Sequence, residues 1–206
     1  MPGDIFGLRT NSNKIYDKQA EDNWPASSNY GYYAGGNPST NIIRRIDFSN
    51  ETITSPGKNL PQARYSGAAV HSSNYGYFGA GFAPPFVVTV DRIDFSNETT
   101  SAPGNNLSQL RNHLGAVSDG ANYGYFAGGY YFPGSPFYRS TVDRLEFSSE
   151  TVSSGDELQF ANGMFEGVSA SDYGYFGGGP ASWSVIERLE FSNGTITLPG
   201  KNLPQG

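Results

Sequence analysis

The sequence predicts an all-β fold: an array of about four four-stranded sheets stacked face to face, with a short helical extension at its N-terminus. Three observations carry this prediction. A tyrosine-rich unit recurs four times, as NYGYYAGG from Asn29, NYGYFGAG from Asn74, NYGYFAGG from Asn122 and DYGYFGGG from Asp172, at spacings of 45, 48 and 50 residues. Each copy is followed by R-[IL]-[DE]-F-S, starting at Arg45, Arg92, Arg144 and Arg188. Turn formers are dense between the two motifs, with 27 Gly and 13 Pro in 206 residues. Self-similarity at this period marks units that cannot bury their apolar faces alone and must stack on their neighbours. The 14 Tyr and 14 Phe supply the large apolar groups that a disordered chain lacks.

Residues 1–28 form an extension ahead of the array. Within it Thr10–Trp24 is the one helical candidate, centred on about 12–22. Ser12 or Asn13 caps it, Ile15, Tyr16 and Ala20 give a narrow apolar stripe, and Pro25 stops it. Such a helix is marginal alone, and it reads either as a cap on the array or as an attachment element.

The array occupies 29–206, in units of about 29–63, 64–110, 111–161 and 162–206. In the second unit Tyr65–Val70 is a small-residue and apolar strand. Tyr75–Ala80 alternates Tyr75 and Tyr77 against Gly76 and Phe78. Val90–Phe95 alternates again, and a Ser96-Asn97-Glu98 turn leads into a short strand over Thr99–Ser101 before Pro103-Gly104 breaks the chain. The fourth unit carries Asn193-Gly194 at the same turn, a strong hairpin signal. Counterpart strands are expected near 30–35, 43–49, 114–118, 123–128, 142–148, 164–169, 173–178 and 185–192. The middle two strands carry large side chains on both faces, as a sheet sandwiched between neighbours requires. Four-stranded sheets packed face to face around an axis make a β-propeller.

The first unit lacks a small apolar strand ahead of Asn29, and Lys201–Gly206 stops where a further unit's first strand would begin. Exposed sheet edges are a liability. Either the Ile5–Arg9 segment supplies the missing strand and closes a four-bladed ring, or arrays from several chains combine, or the edges are tolerated.

The order of elements resembles the kelch repeat. RYSGAAV from Arg64, YGYFGAG from Tyr75, VDRIDFSNET from Val90 and LSQLR ending at Arg111 follow the kelch sequence of leading Arg, small apolar strand, Gly-Gly strand and acidic strand. The chain departs from it in lacking the kelch Trp near Thr100, in placing Asn162 at the leading Arg of the fourth unit, and in reading Gly79-Ala80-Gly81 at the glycine pair. The wording of both motifs resembles kelch-like arrays of tailed phages of marine bacteria. That resemblance implies a propeller blade and a virion-associated protein.

Composition narrows the function. A net charge of −6 without a Lys/Arg cluster offers no footprint for nucleic acid or an anionic membrane. No apolar run reaches the ~18 residues of a membrane span, and the start MPGDIFGLRT has no signal-peptide pattern. With no Cys, thiolate chemistry and Cys-based metal sites are absent, and so is the Cys-linked Tyr of the kelch-fold copper oxidases. His71 and His113 fall at non-equivalent repeat positions and read as ordinary strand or turn residues. No sialidase-type Asp box occurs. The recurring pairs Arg45/Asp47, Arg92/Asp94, Arg144/Glu146 and Arg188/Glu190 read as structural ion pairs on one face or across blades. Asn50, Asn97, Asn106 and Asn193 match the glycosylation pattern, but three of them sit on the repeat's turn, where Asn is favoured anyway.

These readings predict neither an enzyme nor a cofactor. What varies between units is the segment from the last glycine to the Arg: 9, 11, 15 and 9 residues. These insertions fall on one face of a repeat array, often the binding face, and they are rich in aromatics. Phe82, Phe86, Tyr130, Tyr131, Phe132, Phe137, Tyr138 and Trp183 are therefore the candidate ligand- or partner-binding residues. The expected role is a non-enzymatic structural or binding module, virion-associated and tail-fibre-like, contacting a host glycan or a neighbouring subunit. The alternative is a cytoplasmic kelch-type adaptor for protein partners. Neither reading involves nucleic acid or membrane insertion, and either allows a homo-oligomer.

Overall fold

Why the repeat folds as it does is visible in the computed structural model, which describes residues 30–132, 137–180 and 184–204 together with the backbone of 6–9. All regular structure there is β. The first sheet contains β1 (Phe6–Arg9), β2 (Tyr30–Ala34), β3 (Thr40–Asp47), β4 (Thr52–Thr54) and β5 (Asn59–Arg64). The second contains β6 (Ala68–His71), β7 (Tyr75–Gly79), β8 (Val90–Asp94) and β9 (Thr100–Ser101). The third contains β10 (Gly115–Ser118), β11 (Tyr123–Ala127), β12 (Val142–Glu146) and β13 (Thr151–Ser154). The fourth contains β14 (Glu166–Ser169), β15 (Tyr173–Gly177), β16 (Ile186–Glu190) and β17 (Ile196–Thr197). Each is an antiparallel meander in chain order, and in the first sheet β5 also pairs with β3. The result is the expected propeller-like array of four blades. The helical candidate over 12–22 lies outside the described residues.

The strand missing ahead of Asn29 is β1. It pairs with β2 as Phe6↔Ala34, Gly7↔Tyr33, Leu8↔Tyr32 and Arg9↔Gly31. This is the register in which Ala68–His71 pairs with β7, Val70 standing opposite Tyr77 as Leu8 stands opposite Tyr32. The Ile5–Arg9 segment thus supplies the first blade's missing strand, as one of the sequence-based alternatives expected.

First strands of successive blades lie against one another, β1 on β6, β6 on β10 and β10 on β14. Small residues permit that approach. Val70 fills the space over Gly124, where an added Cβ would lie 2.5 Å from its Cγ2, and Val117 does the same over Gly174. The YGYF motif therefore needs its glycine: the position is the socket for the preceding blade's valine.

A second contact repeats at each junction. Tyr32 stacks on Phe95 of the next blade with centroids 5.4 Å apart, Tyr77 on Phe147 at 5.3 Å, and Tyr125 on Phe191 at 6.0 Å. Beside the stack, the Tyr32 hydroxyl and Arg45 both donate to Glu98, at 3.1 and 2.7 Å. One blade on, Tyr77 and Arg92 donate to Glu150 at 3.1 and 2.6 Å. Arg45 and Arg92 also lie over the rings of Tyr30 and Tyr75. At the third junction the position of that glutamate is Gly194, and Arg144 instead rests over Tyr123. Glu98, Glu150 and Gly194 all have positive φ, near 58°, 55° and 75°, so glycine suits the turn at the cost of the carboxylate.

The Arg/acid pairing expected from sequence is thus corrected in its partner. Arg45 and Arg92 reach the following blade's turn glutamate. The acid two residues after each Arg closes its own hairpin: Asp47 accepts from the Ser49 amide and hydroxyl, and Asp94 from those of Ser96. Those hydrogen bonds hold both carboxyls below the usual range. Asn50, Asn97 and Asn193 accept from the amides of Thr52, Thr99 and Thr195, which is the turn role.

Two ion pairs unseen in the sequence lie at the centre of the blades. Arg64 is fully buried, donates to the carbonyls of Phe78, Ala80 and Thr89, and meets Asp91 at 2.6 Å. Arg111 repeats this with Phe126, Gly128, Thr141 and Asp143. Each Arg arrives from the linker between blades and ties the next blade's second and third strands together. Removing one partner strands a buried charge, which explains retention better than net stabilisation does. In the fourth blade Asn162 replaces the Arg and donates to the Gly178 carbonyl. Glu187, in place of the Asp, accepts from the Gln159 and Phe160 amides instead.

Of the blade aromatics expected in the core, Tyr77, Phe78, Tyr125, Phe126, Phe147, Phe176 and Phe191 are buried, and Phe95 is partly buried in its stack on Tyr32. Tyr175 is likewise only partly buried, since no blade covers that face of β15 among the described residues.

Candidate functional site: an aromatic rim between the second and third blades

Irregular segments follow the glycine pairs, and the backbone pins them to the start of their own blades. Phe82 exchanges both hydrogen bonds with Tyr65, and Tyr130 both with Asn112. The Gly81 amide donates to the Arg111 carbonyl, which brings the two insertions side by side. Arg139 closes the longer insertion, its amide donating to Gly129 and its carbonyl accepting from Asn162.

These anchors produce a continuous run of rings. Tyr65 contacts Phe82 at 5.3 Å, Phe82 contacts Phe86 edge-on at 4.9 Å, and Phe86 contacts Tyr131 across the blade boundary at 4.9 Å. Arg139 sits over the Tyr131 ring at 5.8 Å. Behind them Tyr130 packs on Phe137 and Tyr138, and Phe137 on Phe132. Seven of the eight residues singled out from sequence, Phe82, Phe86, Tyr130, Tyr131, Phe132, Phe137 and Tyr138, therefore share one neighbourhood. Trp183 lies outside the described residues.

Their exposure is graded. Phe132 and Phe137 are 57% and 48% exposed, whereas the other five are partly buried against one another. An exposed aromatic pair backed by packed rings loses little side-chain freedom on contact, the property that makes aromatics good anchors. Tyr131, Tyr138 and Arg139 also line an open groove of about 610 Å³, whose wall includes Leu110 and Gln109. Arg139 is the one charged residue lining it. The sequence reading missed Tyr65, Arg139 and this wall; Arg139's place within the longest insertion was the available signal.

Elsewhere the ionisable groups serve the fold. His71 ends β6 with Nδ1 3.3 Å from the Ser72 carbonyl, and burial pulls its pKa down to about 4, so it is neutral at pH 7. His113 uses its backbone to bridge blades, donating to Ser66 and accepting from Met164. Among the described residues no three His, Asp or Glu side chains come together as a metal site, and no described helix is long and apolar enough to cross a membrane. No protein-family model matches the sequence, and no curated protein is significantly similar to it.

Proposed function

We propose that the protein is a non-enzymatic binding module, a kelch-type propeller array whose aromatic rim contacts a glycan or a neighbouring subunit in a virion-associated, tail-fibre-like assembly. The observation that carries this reading is the unbroken ring contact from Tyr65 to Tyr131, with Phe132 and Phe137 exposed beside it and Arg139 at the groove. Sugar rings stack their C–H faces on such aromatics, and an arginine supplies hydrogen-bond donors to hydroxyls or carboxylates. The repeat wording that resembles phage-encoded kelch-like arrays supports the virion setting.

The test is binding of the purified protein to a panel of neutral and acidic bacterial surface polysaccharides, with a Tyr131→Ser/Phe132→Ser/Phe137→Ser variant beside it. Saturable binding that the variant loses while keeping its melting temperature supports the proposal. Binding unaffected by the variant refutes it. The second reading, an adaptor for a protein partner, rests on Phe132 and Phe137 being exposed apolar anchors in the longest insertion and on Leu110 being exposed in the groove that Tyr131 also lines. A silent glycan panel together with rim-dependent capture of one defined protein favours that reading.

A further inference from the structure

The three junctions between blades share a tyrosine–phenylalanine stack, two of them add an Arg–Glu ion pair, and among the described residues one face of the fourth blade presents half of this construction unfilled. The donor half is a first-strand valine, the middle tyrosine of YGYF, and the Arg that follows. In the second blade these are Val70, Tyr77 and Arg92, and the third blade answers with Gly124, Phe147 and Glu150. The fourth blade's donor half is Val168, Tyr175 and Arg188. Val168 stands opposite Tyr175 as Val70 stands opposite Tyr77, and Tyr175 stands opposite Arg188 as Tyr77 stands opposite Arg92. Yet Val168 is 64% exposed, whereas Val70 and Val117 are 1% and 2% exposed. Arg188 lies over the Tyr173 ring, as Arg92 lies over Tyr75, but its hydrogen bond goes to Thr197 at 3.4 Å rather than to a glutamate. Leu203, which stands where Leu60, Leu107 and Leu158 are buried in the other linkers, is 39% exposed.

Among the described residues no neighbouring blade covers the acceptor half on the first blade, where the Phe48 ring itself lies over Gly31, 2.7 Å from where a Cβ would stand. Gly31, Phe48 and Glu51 occupy the positions of Gly124, Phe147 and Glu150. Glu51 has the same left-handed φ of 58° as Glu98, so its side chain leaves the turn in the same backbone setting, and it is exposed.

We propose that the fourth blade's open face docks the first blade of a second copy of this chain, repeating the internal junction between molecules. Arg188 and Tyr175 of one copy then grip Glu51 of the other, the Phe48 ring swings off Gly31 to stack on Tyr175, and Val168 takes its place over Gly31. Two observations select this occupant over an unrelated apolar partner: the charge complement of Arg188 and Glu51, and the match of each half to a junction already filled twice inside the chain. Because the two halves are different surfaces, the contact is head-to-tail, which gives a closed ring when the rotation closes and a filament otherwise. The aromatic rim is not part of this contact, so the two proposals fail separately.

The test is mass in solution by light scattering across a concentration series, with thermal melting of every variant as the folding control. The wild type is expected to associate. Arg188→Glu is expected to weaken association by roughly tenfold or more, as loss of one partner of an interfacial charge pair does. Glu51→Arg is expected to do the same, and the double variant Glu51→Arg/Arg188→Glu to regain it. Val168→Asp, a change at an exposed position of the single chain, provides an independent disruption. A wild-type monomer at all concentrations overturns the proposal, and so does an assembly indifferent to Arg188, Glu51 and Val168.

Discussion

Truncating Phe147 probes the junction between the second and third blades. Its ring is 8% exposed and stacks on Tyr77 with planes 12° apart. It also lies within 3.1 Å of the point where a side chain on Gly124 would begin. A buried phenyl ring removes roughly 150–250 Å² from water. At about 25 cal/mol per Å² that is about 4–6 kcal/mol, an upper figure because the unfolded chain already hides part of it. Measured Phe→Ala changes in cores cost ~3–5 kcal/mol, and the site has little means of collapse, since its walls are strand backbone and the buried Tyr77 ring. We therefore expect Phe147→Ala to lower the unfolding free energy by about 3–5 kcal/mol, read from urea titration with the m-value checked for two-state behaviour. Phe132→Ala, at a ring 57% exposed, is the control and is expected to change stability by no more than ~0.5 kcal/mol. A loss below about 1 kcal/mol for Phe147→Ala, or equal losses for the two variants, would refute the claim that blades are held by this stack.

Other outcomes follow from the same geometry. Glu150→Ala should cost about 1–3 kcal/mol, because the hydroxyl of Tyr77 and the guanidinium of Arg92 both lose their acceptor, whereas Glu51→Ala in the dilute chain should be near neutral; urea titration of both checks this. Gly124→Ala should cost about 1–3 kcal/mol, since the new Cβ would meet Val70 at 2.5 Å, but Gly177→Ala, with nothing nearer than 3.5 Å, should be tolerated. Acid should weaken the fold through His71. Its folded pKa, near 4, lies below the unfolded value of 6.5, so its neutral form contributes stability above pH 6.5 that is lost as pH falls to 4. Denaturation at pH 7.5 and pH 4 is expected to differ through this group by on the order of 2–3 kcal/mol, and His71→Gln should remove that part of the difference.

Much of the fold was legible because it repeats. The alternation in YGYF and VDRID placed the middle strands within two residues of their ends, save β3, which begins three residues before the expected 43, and the strand pattern of GAAV found its counterpart in the Ile5–Arg9 segment. The junction chemistry was less legible. Arg92 and Asp94 lie two residues apart on one strand face and read as a pair on that face or across blades, but the acid that Arg92 meets is Glu150 of the next blade. Glu98 and Glu150 were hidden within a turn read only for its Ser and Asn residues. Asp91 and Asp143 were not singled out, although alternation puts Asp91 on the face of Ile93; they are buried against Arg64 and Arg111 because both faces of these sheets are covered. The rim was legible as composition, since aromatics in the longest insertions stand out. Its continuity across Phe86 and Tyr131 was not, because it depends on two blades lying side by side.

The central claim is that each repeat is one propeller blade and that all blades meet through one kind of junction. Electron-microscope imaging of the purified particle in top view tests it most directly, by counting blades and comparing the number with the chains present. The account predicts radially arranged blades, four per chain, continuing across the boundary between copies with the spacing seen inside each copy. Sheets not arranged around an axis, or a blade number that is not four per chain, would contradict it.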